Sequence, residues 1–240
     1  MTKGTVQNKD KFLNKIAKRL GRERRNSGVK LPEWAKLPQY EVFKDFSQDE
    51  LMEQFINHCK NIHTSVKVTK KESLKETFHE AISDLGGKSI VYWNDDRFRY
   101  YGLTDALYEA RAHHNIDVHC WNPQLGEENV KVAEKANIGI TFADISLAES
   151  GTVVLFSNAD KGRSVSLLPR TYLAIIPKST LVPRMTQATE KIHKMASDLG
   201  RMPSCINFIS GPSNSADIEL RLVVGVHGPV QAIYIVIEDE

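Results

Sequence analysis

The apolar positions change period along the chain, and each change marks an element. Over residues 9–25, Phe12, Ile16 and Leu20 recur every four residues with Leu13 and Ala17 beside them, and lysine and arginine fill most other positions. That is one apolar stripe on a basic helix. Pro32 and Pro38 deny a regular helix over 31–40, so an extended tether is expected there. Ser47 with Glu50 fits a capping box, after which Leu51, Phe55, Ile56 and Cys59 carry helical spacing to about residue 63. Strands are then predicted at 65–69, 89–93 and 116–121, with helices at 72–85, 104–114 and 127–136 between and after them. Such alternation argues a parallel-sheet α/β architecture.

From residue 138 the texture shifts to apolar runs at 138–142, 152–157, 171–176, 206–209, 221–226 and 231–237, broken by one long helical pattern at 186–199. The expected organisation is a helical arm and tether over 1–40, followed by one mixed-sheet α/β domain over 41–240. At 240 residues the chain is long enough for one sizeable core.

Composition narrows the partners. The 32 basic and 30 acidic residues nearly cancel, which leaves no field to recruit nucleic acid or an anionic membrane. Three widely spaced cysteines, Cys59, Cys120 and Cys205, form no C-x-x-C pair. They predict buried thiols in a reducing compartment and no metal or iron-sulfur ligand set in this chain. No apolar run reaches 18 residues, and lysines stand where a signal peptide would be apolar. A cytoplasmic protein without a membrane span is expected.

Several stretches carry candidate chemistry. Gly86-Gly87-Lys88-Ser89 looks like part of a phosphate loop, but it follows a helix and precedes a strand, so it reads as a helix stop. His113, His114 and His119 lie close in sequence without a carboxylate pattern, and read as a surface helix end. Over 144–152, Asp144, Ser146, Glu149, Ser150 and Thr152 gather carboxylates and hydroxyls around Gly151 at a strand entrance, where a carboxylate would serve as nucleophile, general base or hydrogen-bond acceptor, with an Asx or Ser turn into the strand as the alternative. Over 162–170, Arg163 and Arg170 stand near serines, which suits a carboxylate or phosphate ligand, with a solvated hairpin as the alternative.

The stretch SGPSNSADIE, 210–219, places Ser210, Gly211 and Ser213 after an apolar strand, with amides free to meet a ligand. Asp217 would open a helical turn, and His227 beside Gly228 is the candidate for proton transfer. The predicted site therefore joins Glu149, Gly151 and Thr152 to Ser210, Gly211, Ser213 and Asp217, with Arg163, His227 and Gly228 at its margin.

Three motifs in order, ADISLAESGTVVLF, SLLPRTYLAII and ISGPSNSADIELRLVVGVHGP, resemble the LUD-domain family. Ser150 and Asn214-Ser215 depart from the threonine and Arg-Thr usual there, and Asn214 removes a positive charge from the loop. The resemblance implies a NagB/RpiA/CoA-transferase-like fold with its pocket at strand ends. It also implies a part in oxidising L-lactate to pyruvate beside two companion proteins that carry the iron-sulfur clusters, with no cofactor on this chain. In that fold group a glutamate near a glycine accepts acyl groups, so an independent enzyme acting on an acyl-CoA or sugar phosphate through Glu149 is the alternative. Expected partners are the companions, a small carboxylate, CoA or phosphate ligand, and a second copy of the chain held through the arm.

Overall fold

The computed structural model describes residues 6–30, 33–114, 116–200, 202–218 and 221–239. The chain forms two compact units divided between Pro38 and Gln39. In the first, helix α1 spans Lys9–Arg19. It stops short of the predicted residue 25 because Gly21 takes a positive φ of 64° and the chain turns back, where Arg24 pairs with Asp10 at 2.7 Å. In place of a wholly extended tether, the chain makes a 3-10 turn at Pro38–Tyr40.

The second unit begins with α2, Gln48–Asn61, whose Ser47–Glu50 capping box is formed in both directions. It continues through β1 (Thr64–Lys70), α3 (Leu74–Asp84), β2 (Ser89–Tyr92), α4 (Asp96–Tyr100), α5 (Leu103–His114) and β3 (Asp117–Cys120). Next come α6 (Glu127–Lys135), β4 (Ile138–Phe142), β5 (Ile145–Leu147), β6 (Thr152–Ser157), α7 (Ser164–Leu167), β7 (Thr171–Pro177) and β8 (Leu181–Val182). The unit closes with α8 (Met185–Leu199), β9 (Cys205–Ser210), β10 (Asn214–Ile218), β11 (Arg221–Val224) and β12 (Gln231–Glu238).

Six strands make a parallel sheet in the order β1-β12-β7-β4-β2-β3. Every residue of β4 and β7 is buried, as is nearly all of β12, which is why these strands read as unbroken apolar runs. A second sheet, ordered β8-β5-β6-β9, lies against the first. Its β6 is antiparallel to both β5 and β9. Val153 and Leu155 of β6 belong to the main core, whereas Val154 packs with Ala188 and Ile192 of α8. One face of the small sheet therefore meets the large sheet, and the other meets α8.

Two further sequence expectations change. The helical turn expected from Asp217 is strand β10, because Asn214 and Ser215 pair with Val224 and Val223 of β11, and the side chain of Asp217 itself lies outside the described residues. The hairpin alternative at 162–170 is the short helix α7. The side chains of His113 and His114, at the end of α5, also lie outside the described residues.

The amino end of the large sheet is closed by two glycines. Gly211 has φ +68°, and a Cβ there would stand 2.5 Å from the Ile62 carbonyl oxygen and 2.6 Å from Thr64 Oγ1. Gly151, at φ +59°, would bring a Cβ to 2.9 Å from Ile62 Cδ1. Both turns press against the α2–β1 corner, where no side chain fits. Gly211→Ala is expected to destabilise the protein by about 3 kcal/mol or more, combining left-handed strain with overpacking. Gly102→Ala, at φ +73° with nothing within 4 Å, carries the strain alone and is expected to cost about 1 kcal/mol. Urea unfolding of the two variants separates the terms; equal midpoints would show that the contact at Ile62 carries no weight.

Candidate functional site

From β2 the chain moves outward to β3, but from β4 it moves the opposite way, to β7 and then β12. The carboxyl ends of β2 and β4 are thus a topological switch point, the position where open parallel sheets leave a crevice for ligands. The residues that follow these two strands are Trp93-Asn94-Asp95 and Ala143-Asp144. Asp95 caps α4 by accepting from the Arg97 amide at 3.0 Å, which turns the Arg97 guanidinium back into the crevice.

All three nitrogens of that guanidinium are engaged. Its Nε and Nη2 donate to Asp95, at 3.0 and 2.6 Å, Nη2 also reaches Asp144 at 2.9 Å, and Nη1 donates to the Ala143 carbonyl at 2.9 Å. Lys161 Nζ joins from the loop after β6, 2.7 Å from Asp95 and 3.9 Å from Asp144. Burial works against charge on Asp95, but the hydrogen bond and charge of Arg97, then of Lys161, outweigh it and hold the carboxyl down at about 2. Burial likewise opposes the charge on Arg97, and the two aspartates still raise its affinity for the proton. The other oxygen of Asp144 accepts the Phe156 amide at 2.7 Å, tying β6 to the end of β4.

Beside this cluster lies the carboxyl end of β6, where Ser157 pairs with Cys205 at the start of β9. The loop between β6 and α7 is held by two indoles: Trp93 Nε1 donates to the Gly162 carbonyl at 2.9 Å and Trp121 Nε1 to that of Ala159 at 3.0 Å. A cleft of about 380 Å³ opens there, lined by Ser157, Asn158, Lys161, Gly162, Arg163, Ser204 and Cys205. Ser157, Asn158 and Ser204 also line an adjoining space of about 370 Å³, completed by Phe156, Ala159, Met195, Met202 and Pro203. One chamber is polar and basic; its neighbour is apolar.

The residues expected from sequence divide between two places. Thr152 Oγ1 meets Ser210 Oγ at 2.7 Å and Ser150 Oγ at 2.7 Å, so the 149–152 and 210–211 stretches do come together. They meet at the amino edge of the large sheet, away from the switch point. The Gly211 amide donates to Tyr234 Oη at 2.9 Å and the Ser213 amide to the Pro229 carbonyl at 2.8 Å, so these donors are already engaged within the chain. Gly228 packs against Ser213, and His227 is exposed on the same loop. Glu149 is gripped by Arg184, with Nε and Nη2 at 2.8 and 2.7 Å from its two oxygens. Arg163 lies apart from them, on the cleft at the far end of the small sheet, where β6 alone runs five residues from Thr152 to Ser157, about 17 Å.

Asp95, Arg97 and Lys161 were not anticipated as site residues. Their only sequence signal is the run Trp93-Asn94-Asp95-Asp96-Arg97 directly after an apolar strand. The cysteines do not fit a cluster: among the described residues no three His, Cys, Asp or Glu side chains gather to hold a metal ion. Burial pushes the Cys59 thiol up to about 12, far from the thiolate a metal takes. Among the described residues no helix is long and apolar enough to cross a membrane.

The depressed Asp95 carboxyl sets a pH dependence. Its folded value of about 2 lies below the usual 3.8, so its contribution is complete above pH 4 and is lost as pH falls toward 2. The displacement corresponds to about 2 kcal/mol. Asp95→Asn is expected to lower stability to urea at pH 6, with the gap from wild type closing between pH 4 and 2. A gap that stays constant across that range would mean that the charge of Asp95 contributes nothing.

A family model described as LUD domain matches residues 52–237. A protein of Geobacillus sp. (strain WCH70) named Lactate utilization protein C is 56% identical over 239 residues, covering 100% of this chain and 99% of the relative. The protein of the same name in Bacillus subtilis (strain 168) is 53% identical over 239 residues, covering 100% of both chains. Among solved structures, a crystal structure of a DUF162 family protein from Deinococcus radiodurans superposes with a TM-score of 0.56 at 16% identity, covering 80% of this chain and 99% of the other, a likeness of fold. The three sequence motifs, the two-sheet architecture and the matched span agree, and the chain belongs to the LUD-domain family.

Proposed function

We propose that this chain works in lactate utilization, as a non-redox subunit or accessory protein of a system that oxidises L-lactate to pyruvate. The observation that carries the reading is identity of 56% and 53%, end to end, with relatives named Lactate utilization protein C. Oxidising a 2-hydroxy acid to a 2-oxo acid removes two electrons and two protons, which an electron carrier must accept. In this reading the carriers are iron-sulfur clusters on companion proteins. Support comes from the cysteines of this chain, of which Cys59 sits buried in α2, Cys120 at the end of β3 and Cys205 at the start of β9. The reading takes the chain to act in the cytoplasm, with the arm of residues 1–40 as an added segment before the LUD domain of 41–240.

Within that role the switch-point crevice is the favoured working site. It combines a charge-balanced cluster with an open cleft beside it, the two joined through Lys161. The 149–152 and 210–213 turns serve chiefly to close the opposite edge of the sheet, where their glycines fill tight contacts.

In a host with L-lactate as sole carbon source, in-frame deletion of the gene is expected to abolish growth, and a plasmid copy to restore it. Unimpaired growth of the deletion strain would overturn the proposed role. Affinity capture of the tagged chain from lactate-grown cells is expected to recover iron-sulfur proteins; a growth defect without such companions would overturn the subunit assignment alone.

A further inference from the structure

The face of the small sheet that meets the large one ends in polar residues. Val153, Leu155 and Ser157 share this face on β6, and Ile209, Asn207 and Cys205 oppose them on β9. Ser157 is only 4% exposed, yet its Oγ has no hydrogen-bond partner among the described residues. Asn207 Nδ2, buried on the adjacent rung, has none either. Cys205 Sγ donates to Asn207 Oδ1 at 3.5 Å, which takes the acceptor side of that amide and leaves its donor side for another group. Buried donors are rarely left unsatisfied, because each forfeits its bonds to water.

The surrounding charges select what completes them. Asp95 and Asp144, beside the cleft, are neutralised by Arg97 and Lys161, so this cluster does not repel an anion. Arg163, exposed at the mouth, has a guanidinium without an ion pair or side-chain hydrogen bond among the described residues. One free guanidinium and a buried hydroxyl on the cleft wall suit the single charge and two oxygens of a carboxylate. The adjoining chamber, with Phe156, Met195, Met202 and Pro203 on its walls, accepts no charge but takes flexible hydrocarbon.

We propose that this two-chambered cleft binds a monocarboxylic acid with an apolar body. The carboxylate lies against Arg163 and Ser157, and the hydrocarbon lies among Met195 and Met202. The assignment goes beyond the lactate reading and stands on the cleft alone: growth tests the one, and ligand binding tests the other.

Calorimetric titration of the full-length chain with acetate, L-lactate, butanoate, hexanoate and inorganic phosphate decides it. Affinity is expected to rise from acetate to hexanoate, with phosphate weakest. Arg163→Gln, an exposed change, is expected to weaken hexanoate at least about tenfold, equivalent to 1.4 kcal/mol. Met202→Ser is expected to weaken hexanoate while leaving acetate unchanged, and Arg99→Gln, an exposed change on α4, to leave all affinities as they were. No heat from any acid at millimolar concentration, wild-type affinity in Arg163→Gln, or phosphate binding as tightly as hexanoate would each overturn the proposal.

Discussion

The carboxylate of Asp144 is the joint on which the two sheets turn. Its backbone amide donates to the Val154 carbonyl, one side-chain oxygen accepts the Phe156 amide, and the other receives Arg97. A single side chain thus ends one strand of the large sheet, aligns β6 of the small sheet and anchors the guanidinium that crosses the switch point. Taking four charges out of water is costly, and their mutual attraction repays that cost only when every partner is present. The cluster is therefore a device for position more than for net stability. With Asp95, Arg97, Asp144 and Lys161 all in place, the loop after β6 has one arrangement, which the Trp93 and Trp121 indoles also hold.

From that joint the two ends of the small sheet acquire opposite characters. At the Thr152–Ser210 end, glycines at positive φ let the turns press on the Ile62–Thr64 corner, and Tyr234 fills the hydrogen bond of the Gly211 amide. Hydroxyl meets hydroxyl there, Thr152 Oγ1 lying 2.7 Å from Ser210 Oγ. At the Ser157–Cys205 end, buried polar atoms remain without partners among the described residues. This end of the small mixed sheet falls beside the carboxyl ends of β2 and β4, where Asp144 accepts the Phe156 amide and Trp93 donates to the Gly162 carbonyl.

The elements that were legible in the sequence are those whose information is local. The capping box at Ser47 and Glu50 forms as its spacing demands, and the long apolar runs of β4, β7 and β12 are strands buried on both faces. The short strands β5 and β8 were not legible, because three and two residues are too few to display a period. Nor was the role of Arg97, whose meaning depends on Asp144, 47 residues away in the chain. SGPSNSADIE marks another limit of local information. Small residues signal conformational freedom, and sequence alone does not distinguish freedom kept for a ligand from freedom spent on close packing. At Gly211 the positive φ and the contacts at Ile62 and Thr64 are a packing use of that freedom.

Charge bookkeeping sharpens the difference between cluster and mouth. Two aspartates against one arginine and one lysine leave the cluster neutral, so it orients the site without attracting anything from a distance. The chain as a whole carries only +2, which adds no long-range field of its own. Attraction at the cleft then rests on Arg163, and it acts over about 8 Å, the reach of an exposed charge at physiological ionic strength. Selectivity must follow at shorter range, from the hydroxyl of Ser157 and the shape of the methionine-lined chamber. A site built this way discriminates by fit more than by charge, as suits a ligand that is small and singly charged.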